Sequence, residues 1–391
     1  MKPQLGLRDA FLLDPKLVFL NHGSFGACPR EVFDRHQQWQ LAMERNPVEF
    51  LGRRSGALLS DARAALGAYL GARAEDLVFV PNATTGVNTV ARTIALQPGD
   101  EVLATDHEYG ACDATWQQVC AAAGAHYRRA TVPLPYSAAG FADCVMAATG
   151  PRTRLIFASH ITSTTALIFP VADLCARARQ AGITTLIDGA HAPGHVPLDL
   201  TAVGADFYTG NCHKWMCAPK GAAFLHVRPE HQDAIQATVV SWGYVAEGLG
   251  GHTGFDAYTG HSPLERRLQW QGTRDLAAFL SVPAAIDFQA RHGWPQWREA
   301  CHAMACDTQR RVLARNGLEP IALDRDHGQM TPIPVRTTDA DGLRRHLFDR
   351  HRIEVPLTQH AGHTFVRLSV QAYNTQGDLD TLVSALAQAG A

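Results

Sequence analysis

The sequence predicts an α/β protein, in which a large unit on a mostly parallel sheet is followed by a smaller α+β unit. Two patterns carry this reading. Short β-rich runs ending in small or polar residues alternate with longer Ala/Leu/Arg stretches, as βαβ units do. After about residue 260 the alternation gives way to two long helical stretches, short strands and a closing helix. The bulk numbers agree: 391 residues exceed one usual core, and 46% hydrophobic with 18% charged residues excludes a disordered chain.

Taken in order, strands are expected at Leu77–Val80, Glu101–Thr105, Leu155–Ser159, Thr184–Asp188, Asp206–Thr209 and Ala222–Val227. Helices are expected near 31–44, 55–70, 85–96, 110–124 and 171–181. The second unit reads as helices at 277–291 and 295–315, strands at Thr331–Arg336, Ile353–Pro356 and Thr364–Val370, and a helix near 377–388. The Gly-rich stretch 243–263 reads as a loop crossing between the units. The expected division is an N-terminal segment, 1–20, packing on the small domain, a large domain over 21–262 and a small domain over 263–391.

Charge and composition exclude several partners. Thirty-five Lys plus Arg against 37 Asp plus Glu leave a net charge of −2, too little positive field to gather nucleic acid. The longest apolar runs are strand-sized, so no membrane span is expected, and no cleavable leader is read at the start. Nine cysteines without a CxxC pair fit reduced thiols in a cytoplasm. His191 and His195 are four apart, but Pro193, Gly194 and Pro197 interrupt any helix there, and no metal site is read.

The strongest chemical signal is Lys214, in Thr209-Gly210-Asn211-Cys212-His213-Lys214-Trp215. A lysine desolvated near the carboxyl edge of a sheet loses its proton more easily and becomes available for Schiff-base chemistry. A surface turn lysine is the plainer alternative for one residue alone. Three further elements shift the balance. Asp188 ends the buried run Thr184–Asp188, where open α/β sheets bind ligands and where a carboxylate can face a cationic ring nitrogen. The stretch Pro81-Asn82-Ala83-Thr84-Thr85-Gly86 follows a strand and opens a helix, a ready anion site. Arg367, among apolar neighbours on a late strand, needs either a structural ion pair or a substrate carboxylate.

The set Asn82-Ala83-Thr84, Asp188-Gly189-Ala190-His191, Asn211-Cys212-His213-Lys214-Trp215 and Arg367-Leu368-Ser369, with Leu20-Asn21-His22-Gly23-Ser24-Phe25-Gly26, resembles the class V aminotransferase family of fold type I pyridoxal phosphate (PLP) enzymes. Within it the chain is most similar to the isopenicillin N epimerase-like branch, from about residue 18 to about 388. The resemblance implies the fold type I architecture, a mostly parallel seven-stranded sheet with a smaller C-terminal α+β domain.

It also implies roles. Lys214 would carry PLP, Asp188 would face the pyridine nitrogen, and His191 would approach the ring's phenolic oxygen. Ala83 and Thr84, with Asn211 and His213, would hold the phosphate; His213 could instead pack beside the lysine. Gly272 and Thr273, in Trp270-Gln271-Gly272-Thr273-Arg274, would reach the phosphate of a neighbouring subunit, which implies a homodimer with shared active sites. An aromatic ring should cover the cofactor: His107 or Tyr109 can do so, and the spacing from Tyr109 to Trp116 favours Tyr109, which is also the expected second acid/base. Arg367 would grip an amino acid carboxylate, with Ser163 and Asn21 beside it. No cysteine follows Cys306, so the late persulfide-forming cysteine of desulfurases is missing. The implied reaction is at the Cα of an amino acid: an epimerase or racemase first, then a C–S β-lyase on a cysteine conjugate, an aminotransferase, or a binding protein without catalysis.

Overall fold

The computed structural model describes residues 6–248 and 256–391. Its strands are β1 (Val18–Phe19), β2 (Leu77–Val80), β3 (Glu101–Thr105), β4 (His126–Ala130), β5 (Thr153–Ser159), β6 (Thr184–Asp188), β7 (Phe207–Asn211), β8 (Ala223–Val227), β9 (Met330–Val335), β10 (Ile353–Glu354), β11 (Leu357–His360) and β12 (His363–Ser369).

Seven of these form one sheet in the order β2-β8-β7-β6-β5-β3-β4, in which β8 alone runs antiparallel to its neighbours. Helices cover both faces, which is why the strands read as near-continuous apolar runs rather than as alternations. In β5, Leu155 and Phe157 enter one core while Ile156 and Ala158 enter the other. The smaller sheet, β11-β12-β9, is antiparallel and shares a third core with the helices Trp294–Asn316 and Gln376–Ala389.

The N-terminal segment joins that smaller unit through β1, which pairs with β10, and through Leu20 in the third core. Further along, Leu264 and Leu268 lie in a core of the large sheet, and Phe279 and Phe288 in the other.

Besides the two-residue β1, two strands had no sequence signal. β4, His-Tyr-Arg-Arg-Ala, is the edge of the large sheet and mostly exposed; β11 is the edge of the small one. Edge strands with a wet face lack the apolar runs that reveal central ones. The Gly-rich stretch 243–263 is not the expected loop throughout: helices form over Trp242–Gly248 and Asp256–Thr259. Gly243 is there for close approach, since a Cβ would lie 1.5 Å from the Arg266 carbonyl oxygen of the adjoining helix Pro263–Leu268. The remainder, 249–255, lies outside the described residues.

All nine cysteines are free thiols. Among the described residues no helix is long and apolar enough to cross a membrane.

Candidate active site

A cavity of about 570 Å³ opens where β2, β3, β5, β6 and β7 end, and the small sheet closes it from one side with Arg367. This is the place where open α/β sheets gather ligand-binding groups. Lys214, Asp188, His191, His213, Asn211, Ala83, Thr84, Tyr109, Ser163 and Arg367 all line it.

One end of the cavity is the start of the helix Ala83–Thr93. Asn82 caps it, its Oδ1 accepting from the Thr85 N–H at 2.8 Å, and the Ala83 N–H donates to Asn211 Oδ1 at 2.9 Å. The helix sits tight against β7 because residue 86 is glycine; a Cβ there would lie 2.2 Å from Thr209 Oγ1. The result is a positive helix end at the cavity, where the Thr84 N–H is the first-turn amide not taken up by these bonds, an environment that suits a phosphate.

Lys214 occupies the turn after β7 and is half-buried, its side chain lining the cavity. Burial first, and the Arg367 charge second, lower its pKa to about 8, with Asp188 opposing. Its Nζ lies 3.2 Å from His191 Nε2, and the Trp215 indole N–H donates to His191 Nδ1 at 3.3 Å. Burial also holds His191 well below the usual histidine range, as does the neighbouring lysine. The turn is braced from behind by His22, whose Nε2 lies 3.0 Å from the Lys214 carbonyl oxygen and whose Nδ1 lies 3.0 Å from the Tyr373 hydroxyl. Gly26 permits this contact, with φ of 71° and no room for a side chain beside the His213 carbonyl.

Asp188, at the end of β6, accepts from the Ala190 N–H at 2.9 Å and from the Cys112 thiol at 3.6 Å. Burial raises its pKa. Behind it Glu108 is buried between the hydroxyls of Ser159 and Thr105, each 2.6 Å away, and burial pushes its pKa up to about 8.

Arg367 on β12 has no carboxylate among its described contacts. One terminal nitrogen donates to the carbonyl and hydroxyl of Ser163, the other to Ser24 Oγ at 2.9 Å, and its buried Nε has no partner. Burial lowers its pKa to about 10. The structural ion pair, one of the two readings of this residue in the sequence, is therefore not made, and a buried cation without an anion marks a ligand position.

Four expected site residues stand elsewhere. His107 does not reach the cavity: its ring nitrogens lie 2.7 Å from Thr165 Oγ1 and 3.1 Å from the Val132 carbonyl, and the ring packs on His360 at 3.9 Å. Tyr109, at the cap of the next helix, lines the cavity and is 47% exposed. Asn21 is one step removed, bonded to Ser24, which in turn holds Arg367. Gly272 and Thr273 do not line the cavity, and Thr273 is exposed. Conversely, Ser24, His22, Trp215 and Glu108 build the site without having been singled out for it. Only the quoted motifs around residues 20–26 and 211–215 hinted at the first three.

The profile of the family described as aminotransferase class-V matches residues 18–382. The chain belongs to the class-V aminotransferase family. As such it is a PLP-dependent enzyme of the fold type I architecture. The isopenicillin N epimerase of Amycolatopsis lactamdurans is 40% identical over 388 residues, 97% of this chain and 96% of its own. That of Streptomyces clavuligerus is 40% identical over 385 residues, with the same coverage of both chains. A putative L-cysteine desulfhydrase of rice is 36% identical over 293 residues, 70% of this chain and 57% of its own. Among solved structures, a cystine C–S lyase in complex with cysteine persulfide superposes with a TM-score of 0.82 at 22% identity, covering 95% of this class-V chain and 98% of that one. A cysteine desulfurase from Thermococcus onnurineus gives 0.79 at 18%, covering 98% and 97%. At such identities these two speak for the fold alone.

Proposed function

We propose that this enzyme inverts the configuration at the Cα of an amino acid, as an epimerase or racemase. The similarity to isopenicillin N epimerases along nearly the whole length of both chains carries this reading. The residues present fit the cofactor: a capped helix end for a phosphate, a half-buried lysine whose pKa desolvation has lowered, a buried carboxyl, and an arginine whose Nε has no partner among the described residues. PLP bound to Lys214 supplies an electron sink that loosens the substrate's Cα–H bond.

The chain's own groups would do the rest. Ala83, Thr84, Asn211 and His213 hold the phosphate. Asp188 would accept a hydrogen bond from the ring nitrogen, and His191 would donate one to the phenolic oxygen. Arg367, steadied by Ser163 and by Ser24, grips the substrate carboxylate with parallel N–H groups, and Asn21 acts through Ser24. This grip orients the Cα–H bond towards Lys214, whose freed amine takes the proton on its own face. Tyr109 lies at the cavity mouth, and its hydroxyl is the second acid/base, returning a proton to the opposite face.

A homodimer completes this proposal. Phe25 lines the cavity yet is 72% exposed, and Leu41 and Val48 are 63% and 70% exposed, apolar surface that a second copy would cover. The exposed loop with Gly272 and Thr273 would then reach the phosphate end of the neighbouring site. A cytoplasmic location fits the nine free thiols.

The test is to incubate the PLP-loaded enzyme with a panel of L-amino acids, peptides with a free α-amino acid end and cysteine conjugates, and to separate products by chiral chromatography. Appearance of the D-configured centre supports the reading. Pyruvate with ammonia and no inversion would replace it with C–S β-elimination, the reaction class that the cysteine desulfhydrase names suggest. Conversion of the cofactor to pyridoxamine phosphate would replace it with transamination.

A further inference from the structure

Away from the cavity, three side chains offer metal-binding atoms to one another. His302 and Cys306 are one turn apart on the helix Trp294–Asn316, and His327 lies on the segment that leads into β9. Their ligand atoms lie within 4.8 Å of one another, and Cys306 Sγ lies beside both ring nitrogens of His302, 3.8 Å from Nδ1 and 3.5 Å from Nε2. That last separation is the edge of a tetrahedron with metal–sulfur and metal–nitrogen bonds of about 2.3 and 2.0 Å.

The hydrogen bonds around the cluster choose the tautomers. His302 Nδ1 lies 3.0 Å from the Gly328 carbonyl, which can only accept, so Nδ1 carries the proton and Nε2 keeps its lone pair. The Thr331 hydroxyl donates to the same carbonyl at 3.2 Å, which leaves its oxygen to accept from His327 Nδ1 at 3.1 Å. His327 Nε2 is therefore also a lone pair; the residue is 2% exposed and this nitrogen has no hydrogen-bond partner among the described residues. His327, with its far nitrogen anchored to a hydroxyl and its near nitrogen buried and unclaimed among the described residues, has the arrangement found around metal-ligating imidazoles.

We infer that His302, Cys306 and His327 form a binding site for a divalent transition metal of the zinc type, tying the helix Trp294–Asn316 to the loop before β9. One thiolate and two imidazoles suit a borderline-soft ion, and the fourth position falls to water or to the carboxylate of Asp324, which lies against Cys306. Binding releases the Cys306 proton to solvent, and His302, only partly buried, leaves a way in. Arg310, paired with Asp324 at 2.9 Å, is the cation beside the site. The site is structural. The loop that it fixes also meets His195, whose Nε2 accepts from the Met330 N–H at 3.3 Å and whose ring stacks on Trp215 at 4.0 Å.

The spacing hides the site from the sequence, since only the pair four apart is periodic and the third ligand follows after a helix and a turn. The test is to load the PLP-bound enzyme with Zn²⁺, pass it through a desalting column and measure retained metal, then repeat with Co²⁺ and record the near-ultraviolet thiolate-to-cobalt band. One equivalent and a clear band are expected in the wild type, and both fall to background in Cys306→Ser and in His327→Gln, with the cofactor's visible absorbance the same in all three. Should the wild type retain no more metal than these variants, or Co²⁺ bind without a thiolate band, the inference is overturned. Direct loading of the wild type decides the matter even if a variant folds poorly.

Discussion

The Trp215 indole N–H donates to His191 Nδ1 at 3.3 Å, and this bond fixes which nitrogen of the imidazole carries a proton. An indole can only donate, so Nδ1 is the acceptor and Nε2 bears the hydrogen of the neutral ring. That N–H points at Lys214 Nζ, 3.2 Å away. An ammonium would meet it head-on, whereas a neutral amine accepts it. The hydrogen-bond network and the desolvation of Lys214 therefore favour the same state of the lysine.

Replacing Trp215 by Phe removes this anchor while keeping most of the ring's volume. Loss of one buried hydrogen bond of about 0.5–1.5 kcal/mol predicts a fall in turnover of about two- to tenfold with PLP still bound. Nitrogen NMR of His191 is the check: the Nε2–H tautomer dominates in the wild type and becomes mixed in Trp215→Phe.

The pH dependence of cofactor capture follows from Lys214. With its pKa at about 8, the unloaded enzyme should form its bond to PLP faster as pH rises through about 8, because only the neutral amine attacks the aldehyde. The Arg367 charge is the second cause of the depression, so Arg367→Gln should move the midpoint to higher pH. Stopped-flow absorbance measures both, and an unchanged midpoint in the variant contradicts the assigned cause.

Glu108 gives a prediction of the opposite sign. Its folded pKa of about 8 lies above that of an ordinary glutamate, so below the ordinary value the proton is held in both states and its stabilising effect is complete. The effect fades as pH rises from about 4.5 through about 8, where the unfolded chain has already released the proton. Glu108→Gln, isosteric with the protonated form, should flatten the decline of chemical-denaturation stability across that interval.

Gly26 has a φ of 71°, and a Cβ there would lie 2.1 Å from the His213 carbonyl oxygen. Alanine therefore carries both backbone strain and a backbone clash. Gly26→Ala is expected to destabilise the fold by roughly 2 kcal/mol or more and to weaken PLP retention, since the clash displaces the Lys214 turn. Thermal unfolding and spectroscopic titration with PLP read the two effects.

How far the sequence announced this protein depends on burial. β2, β3 and β6 were placed residue for residue because both their faces are apolar, and β4 and β11 were missed because they are wet edges. Lys214, Asp188 and Arg367 could be read because a charged residue at the end of an apolar run is conspicuous. Ser24 and Trp215 could not, because their importance lies in a contact 343 residues away with Arg367 and in one with a histidine on another strand's loop. His107 rivals Tyr109 in the sequence, but its ring nitrogens lie beside Thr165 and Val132, away from the cavity. Local sequence carries residue type and period, but not the direction in which a side chain leaves a loop.

In the proposed reaction the site removes the Cα proton of an amino acid on one face and returns one on the other, with Lys214 and Tyr109 as the two groups. The most direct measurement is to run the PLP-loaded enzyme in deuterated water with a turned-over substrate and to follow Cα–H by NMR together with chirality. Inversion with one deuterium at Cα is predicted. In Tyr109→Phe, deuterium exchange with retained configuration should persist while inversion drops at least tenfold. Inversion without deuterium uptake, or inversion unaffected by Tyr109→Phe, would contradict the two-faced proton transfer.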